Sequence, residues 1–222
     1  MVKSKLSAFT LAEVLITLGI IGVVAAMTIP TLMNNIQDSQ LKQAWKKNFS
    51  VMSNAYKQYV YDNGGNARGL CNYDAYCMRD SLQQYLRIAK TCNASTTEGC
   101  WNTAGTLKNS AGTVVTGMPT NAGDTVMNQP GYILNDGTFI IFQGFSSSTC
   151  PISVWTGSLY NTCGYAVIDV NGSKPPTQIG RDVYLIFFTD NNVVPAGHSS
   201  SPYPFGSNGS YGWGFSASSL LN

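Results

Sequence analysis

The feature that most constrains this chain is an unbroken apolar run close to its amino terminus. Phe9 to Ile29 comprises 21 residues with a single charge, Glu13. As an α-helix this run would be about 30 Å long, the thickness of the hydrocarbon core of a bilayer. Because the basic residues Lys3 and Lys5 precede it, we expect the amino terminus to stay in the cytoplasm while the rest of the chain crosses the membrane.

Residues 1–8 differ from an ordinary secretory signal. Such a signal has its small-residue cleavage site after the apolar run, whereas here the small residue, Ala8, comes before it. The apolar run would therefore remain in the processed protein. A plain membrane anchor would explain the run but not Glu13, because a carboxylate within a transmembrane helix costs about 2.5–3.5 kcal/mol on insertion scales. Glu13 is therefore a candidate functional residue.

The residues at this junction, Ala8-Phe9-Thr10-Leu11-Ala12-Glu13, resemble the class III leader junction of type IV pilins and type II secretion pseudopilins. The resemblance implies that a prepilin peptidase cuts between Ala8 and Phe9 and N-methylates the new amine of Phe9. Glu13 matches the acidic residue that the family has at the fifth position after the cut. Pro30 matches a proline that often bends the family's helix. The family usually has Gly before the cut, and Ala8 departs from that pattern.

The resemblance also implies a role for Glu13 in assembly. A carboxylate buried among apolar helices needs a cation beside it. The Phe9 ammonium of a neighbouring subunit would supply that cation, and the pair would set the axial stagger between subunits, as buried polar groups set coiled-coil register. The implied partners are other copies, related pilin subunits, the prepilin peptidase and an inner-membrane assembly platform. The implied location is the inner membrane, with the domain in the periplasm, followed by an assembled fibre.

Beyond the membrane segment, residues 30–62 predict an amphipathic continuation of the same helix. Apolar residues recur at nearly helical spacing; they are Leu32, Ile36, Leu41, Trp45, Phe49, Met52, Tyr56 and Tyr59. Asn63-Gly64-Gly65 should end the helix. The remaining face carries Lys42, Lys46, Lys47 and Lys57, which we interpret as solvated rather than as a binding patch.

The rest of the chain predicts an α+β domain in three parts. Residues 63–130 are rich in loop-forming residues, with one short helix predicted over 78–90. Residues 131–198 predict an antiparallel sheet of about four strands, whose first hairpin turns at Asn135-Asp136-Gly137. Residues 199–222 form an uncharged Gly/Ser tail with aromatic side chains, which would either pack on the sheet edge or meet a partner; they are Tyr203, Phe205, Tyr211, Trp213 and Phe215.

All six cysteines follow the membrane segment; they are Cys71, Cys77, Cys92, Cys100, Cys150 and Cys163. In an oxidising compartment an even number of cysteines indicates disulfides. We favour three local pairs, Cys71–Cys77, Cys92–Cys100 and Cys150–Cys163, which would each staple a loop that has little core. The alternative is that Cys71 or Cys77 pairs with Cys92 across the short helix.

Composition and motifs argue against several classes of function. Only 11% of residues are charged and, without Lys3 and Lys5, eleven basic residues balance the 11 acidic ones, so nucleic acid is not an expected partner. The chain has a single histidine, His198, and lacks P-loop, GxSxG and HExxH motifs, so we expect no enzyme and no cofactor. A hydrolase that uses carboxylates such as Asp136 and Asp169 is the remaining catalytic alternative.

A second stretch, Ile168 to Gly172 with Gly180-Arg181-Asp182, also looks like the pseudopilin family. Asp169 and Asp182 would brace the loop between two strands, and we favour simple capping of turns by their side chains. Some pseudopilins bind calcium in a carboxy-terminal loop. Oxygen ligands are present at Asp169, Asn171, Asp182 and Asp190, but their spacing fits no ion-binding loop, so no metal site is predicted.

The sequence therefore predicts a structural pseudopilin or minor pilin. One alternative is an adhesive surface pilin, whose loops over residues 91–130 and aromatic tail would bind glycan or another cell. The other is the membrane-anchored hydrolase. The sequence does not distinguish secretion from twitching, DNA uptake or adhesion.

Overall fold

The structure is a computed structural model that describes residues 10–71, 74–101, 107–109, 112–114, 129–144, 150 and 162–196, with only the backbone of 143 and 144. It divides into two compact units, Met1–Gln40 and Leu41–Asn222. Helix α1, Leu11–Asp62, contributes residues to both. Each unit is described separately below.

The first unit consists of the beginning of α1, and it has no core within its described residues. None of residues 10–40 is buried. Fourteen large apolar side chains on this stretch are at least 44% exposed; they are Leu11, Val14, Leu15, Ile16, Leu18, Ile20, Ile21, Val23, Val24, Met27, Ile29, Leu32, Met33 and Ile36. Pro30 lies inside the helix. Among the described residues, α1 is the one helix that is long and apolar enough to cross a membrane.

The second unit is built on a six-stranded antiparallel sheet with the order β1-β2-β3-β4-β5-β6. The strands are β1 Ile88–Cys92, β2 Gly131–Leu134, β3 Phe139–Gly144, β4 Thr162–Asp169, β5 Val183–Thr189 and β6 Val193–Pro195. Every residue of β4 and β5 is buried, as expected for central strands with both faces covered. With helix α1 this sheet gives the α+β fold class that the sequence predicts.

The carboxy-terminal part of α1 packs on this sheet through aromatic side chains. Trp45 is fully buried and stacks on Tyr184 of β5, with 4.3 Å between the ring centroids. Tyr56 lies against Phe188 at 4.9 Å and donates a hydrogen bond to the carbonyl oxygen of Thr189. Such pairs add attraction to the burial of their large apolar area. These contacts fix the helix on β5.

Helix α1 ends at Asp62, as the sequence predicts. Gly64 and Gly65 have positive φ angles of 86° and 84°, and the amide of Gly65 donates to the carbonyl oxygen of Val60 at 2.8 Å. Glycine adopts this left-handed conformation without a steric cost. The predicted apolar stripe is wrong at its start, because Leu32 and Ile36 are exposed and the buried residues begin at Leu41.

A short helix is present where the sequence predicts one, but its predicted bounds, 78–90, are wrong. Helix α2 spans Ala75–Leu82 and is capped by the Asp74 side chain, which accepts a hydrogen bond from the amide of Tyr76 at 2.8 Å. A 3-10 turn, Gln83–Tyr85, follows, and Leu86 is extended. Residues 88–92 instead form β1, whose pairing with β2 satisfies the backbone better than one more helical turn would. The helical spacing of Leu82, Tyr85 and Leu86 was therefore misleading.

The sheet also has more strands than predicted. The sequence indicates about four, and the structure adds β1 and β6 at the two edges. The hairpin predicted at Asn135-Asp136-Gly137 is confirmed, because it joins β2 to β3 and Gly137 has a φ of 87°. β6 is three residues long and β1 has a mostly exposed pattern, so neither carries the alternation that marks a strand in a sequence.

The six cysteines form the three local disulfides Cys71–Cys77, Cys92–Cys100 and Cys150–Cys163. The paired cysteines are separated by 6, 8 and 13 positions in the sequence, respectively. The alternative pairing across the short helix is not formed. Closing a short loop restricts the unfolded chain and stabilises segments that bury little apolar surface.

We predict that Trp45→Ala destabilises the protein by about 3–5 kcal/mol, because it removes the side chain that fills the contact between α1 and β5. The measurement is thermal or denaturant unfolding of the full chain in detergent micelles. Tyr61→Ala is the control, because Tyr61 also lies on α1 but is 82% exposed, and this change should stay within about 0.5 kcal/mol of the parent. Equal effects of the two changes would contradict the packing described here.

Candidate functional site

Glu13 belongs to a capping box at the start of helix α1. Its Oε2 atom accepts hydrogen bonds from the amide of Thr10 at 2.9 Å and from the Thr10 hydroxyl at 2.8 Å. In return, the amide of Glu13 donates to the Thr10 hydroxyl oxygen at 3.3 Å. This reciprocal pair satisfies amide groups that the first helical turn leaves without partners. This local role is not among the predictions above, although the Thr-x-x-Glu spacing is its sequence signal.

Only one carboxylate oxygen of Glu13 is used in the capping box. Oε1 makes no hydrogen bond to any residue that the structure describes. It therefore remains able to accept an ion pair from outside the chain. Ala8 and Phe9, the predicted processing residues, lie outside the described residues. The structure therefore does not test a pairing of Glu13 with the Phe9 amine.

The helical surface around Glu13 needs cover from outside the first unit. Apolar side chains from Leu11 to Ile36 point in all directions around α1. A soluble helix shows such residues on one stripe only, and an exposed apolar surface of this extent is typical of contact with lipid or with other helices. Glu13 and this surface together form the candidate assembly site of the first unit.

Asp169 and Asp182, predicted to cap turns, do so in the second unit. The Oδ1 atom of Asp169 accepts from the amides of Asn171 at 3.2 Å and Gly172 at 3.0 Å. Asp182 accepts from the amides of Thr177 at 2.7 Å and Gln178 at 2.5 Å. The two carboxylates thus hold the two ends of the segment that joins β4 to β5.

Both carboxylates are buried, and burial changes their acidity. Burial, with a smaller contribution from the nearby Asp182 charge, raises the pKa of Asp169 well above its ordinary value. Burial likewise raises the pKa of Asp182, although the amide donors of Gln178 and Thr177 oppose the shift. A raised carboxyl pKa means that the fold disfavours the charged form. The stability of the segment between β4 and β5 therefore depends on whether Asp169 and Asp182 are protonated.

The four candidate metal ligands do not all lie together within the described residues, because Asp190 is paired elsewhere. Among those residues no group of three or more His, Cys, Asp or Glu side chains could hold a metal ion. Asp190 instead pairs with the guanidinium of Arg68 at 3.0 Å. Asn171 donates from Nδ2 to the carbonyl oxygen of Pro175 at 3.2 Å. His198, most of the loops over residues 91–130 and the tail 199–222 lie outside the described residues.

Asp136, one of the two carboxylates considered for a hydrolase, is held in the turn between β2 and β3. It forms an ion pair of 2.7 Å with Lys47 of α1 and accepts from the amide of Thr138 at 3.1 Å. Burial raises the pKa of Asp136, but the hydrogen bonds from Lys47 and Thr138 outweigh it, so the pKa lies below its ordinary value. This is opposite to the shift that a general acid needs.

Sequence reasoning also missed a buried arginine. Arg79 of α2 is only 6% exposed, and its Nη1 donates to the carbonyl oxygen of Cys92 at 2.7 Å and to Asn93 Oδ1 at 2.8 Å. Its Nε pairs with Asp80 at 2.7 Å. Arg79 thereby ties α2 to the start of the loop closed by Cys92–Cys100. The sequence does not predict these contacts, because only the fold brings Arg79 close to Cys92 and Asn93.

No protein-family model matches the chain, no curated protein matches it, and no solved structure matches it.

We predict that the protein loses stability as the pH rises from acidic towards neutral. The native state binds the Asp169 and Asp182 protons more tightly than the unfolded state does, so deprotonation above the ordinary value of 3.8 costs native stability. Asp169→Asn keeps an oxygen for both amides but carries no charge. It should flatten the dependence of the melting temperature on pH in detergent micelles.

The control for this measurement is Asp62→Asn, since Asp62 is exposed and asparagine can still accept the hydrogen bond from the Tyr85 hydroxyl. Its pH profile should follow that of the parent, because interactions of exposed charges contribute little to stability. A profile for Asp169→Asn that matches the parent's would contradict the role of this carboxylate.

Proposed function

We propose that this protein is a structural subunit, a pseudopilin or minor pilin, that assembles through its first helix into a fibre of the type II secretion or type IV pilus kind. In this proposal a prepilin peptidase removes residues 1–8 and methylates Phe9. The single observation that carries the proposal is a helix with exposed apolar side chains on every side and a carboxylate, Glu13, that keeps one oxygen free.

The energetics of assembly explain why one carboxylate would matter so much. Lipid solvates the apolar side chains of α1 as well as neighbouring helices do, so moving them into a fibre core brings little hydrophobic gain. Specific contacts must then decide where one helix stops relative to the next. An ion pair between Glu13 and a neighbour's Phe9 amine is such a contact, because leaving either charge alone in an apolar core is strongly unfavourable.

The second unit suits a subunit that works outside the cytoplasm. It contains three disulfides, which persist in oxidising compartments. The aromatic contacts between α1 and β5 give it a core of its own. The adhesive alternative depends on loops and a tail that lie mostly outside the described residues, so no observation favours it. No observation favours the hydrolase either. Asp136 forms an ion pair with Lys47, and Asp169 caps a turn by accepting from the amide of Gly172.

The capping box gives Glu13 a competing explanation, and the two roles can be separated. Glu13→Gln keeps the cap, because glutamine also serves at this position, but it removes the charge. If the charge pairs with a neighbour's amine, we expect this variant to insert into the membrane at parental levels and to lose most fibre assembly. The measurement is the amount of sheared or cross-linked fibre from cells that produce the variant.

Asp38→Asn is the matched control, because Asp38 is an exposed carboxylate on the same helix. It should assemble as the parent does. Normal fibres from Glu13→Gln would show that Glu13 serves only the cap, and the proposed pairing would then be wrong.

A further inference from the structure

The second unit contains a cleft of about 370 Å³ that the proposed function does not use. Its apolar surface comes from Val51 on α1, Tyr85 on the 3-10 turn and Leu134 at the end of β2. The volume lies near the lower end of the range for ligand pockets. A cleft of this size fits a side chain with its flanking backbone rather than a large cofactor.

The charges around this cleft do not balance. Lys47 and Asp136 line it and neutralise each other through their 2.7 Å ion pair. Arg87 also lines it and is exposed, and its guanidinium forms no ion pair or hydrogen bond with any residue that the structure describes. One cation is therefore left over at the edge of an apolar cleft. A guanidinium in this setting recognises a carboxylate or phosphate through parallel N–H donors.

From these two features we infer that the cleft binds an acidic peptide segment of another protein. A Glu or Asp carboxylate would pair with Arg87, and apolar flanking groups would contact Val51 and Leu134. A peptide supplies an anion and an apolar surface together, whereas a simple anion supplies only the first.

A second copy of this chain is a poor source for that carboxylate. Within the second unit, each described carboxylate group already has a partner in its own chain; they are Asp62, Asp74, Asp80, Glu98, Asp136, Asp169, Asp182 and Asp190. A copy would have to give up one of these contacts in order to dock. The favoured occupant is therefore a protein of different sequence.

The test is a titration of the full chain in detergent micelles with two capped tripeptides, acetyl-Leu-Glu-Leu-amide and acetyl-Leu-Gln-Leu-amide. Nuclear magnetic resonance of the Arg87 Nε–H group follows binding at the site itself. We expect the Glu peptide to bind at least about tenfold more tightly than the Gln peptide, since hydrogen bonds between charged groups are roughly twice as strong as those between neutral groups. Arg87→Gln should abolish this preference, and Arg87→Lys should keep part of it.

Lys57→Gln is the matched control, because it removes one exposed positive charge from α1 outside the cleft. It should leave the preference for the Glu peptide unchanged. Equal affinity for the two peptides, tighter binding of inorganic phosphate than of the Glu peptide, or an unchanged preference in Arg87→Gln would each overturn the inference. Because the titration needs no fibre, its outcome is independent of the role of Glu13.

Discussion

The main physical constraint on this molecule is an apolar helical surface that the described residues leave uncovered. Between Leu11 and Ile36, fourteen large apolar side chains remain at least 44% exposed, on all sides of one helix. Water is a poor solvent for such a surface, at roughly 25 cal/mol per Å² of apolar area. The helix therefore needs lipid or other helices. Glu13 is the single charged residue in this stretch, and we propose that it distinguishes one neighbour from another.

The second unit has its own core and does not depend on that surface. Its stability comes from α1 packed on β5 through Trp45 and Tyr56, from a six-stranded sheet and from three short-range disulfides. Most of its described carboxylates form hydrogen bonds or ion pairs within the chain. Of the two described cations that line the cleft, Lys47 is paired with Asp136, whereas Arg87 forms no ion pair with a described residue.

The features that could be predicted from the sequence are those that depend on neighbouring residues. The apolar run, the end of α1 at Asp62, the hairpin at Asn135–Gly137 and the capping by Asp169 all follow from local spacing and turn chemistry. The local disulfides follow for a similar reason, since short loops close most easily.

The features that were missed depend on contacts between distant segments. β1 was taken for helix because Leu82, Tyr85 and Leu86 have helical spacing, and only pairing with β2 decides between the two conformations. The cleft beside Arg87 brings together α1, the 3-10 turn and the β2–β3 turn, which are far apart in the chain. The capping box was an avoidable omission, since Thr10 and Glu13 carry its signature.

Mass spectrometry of the mature amino terminus, on protein isolated from membranes of a cell that has the assembly machinery, is the decisive experiment. Pairing with Glu13 requires a chain that begins at Phe9 with a methylated amine, because this amine is the proposed partner. A chain that retains residues 1–8 would have no charged amine beside Glu13 in the apolar segment. Finding that intact leader would contradict the proposed assembly.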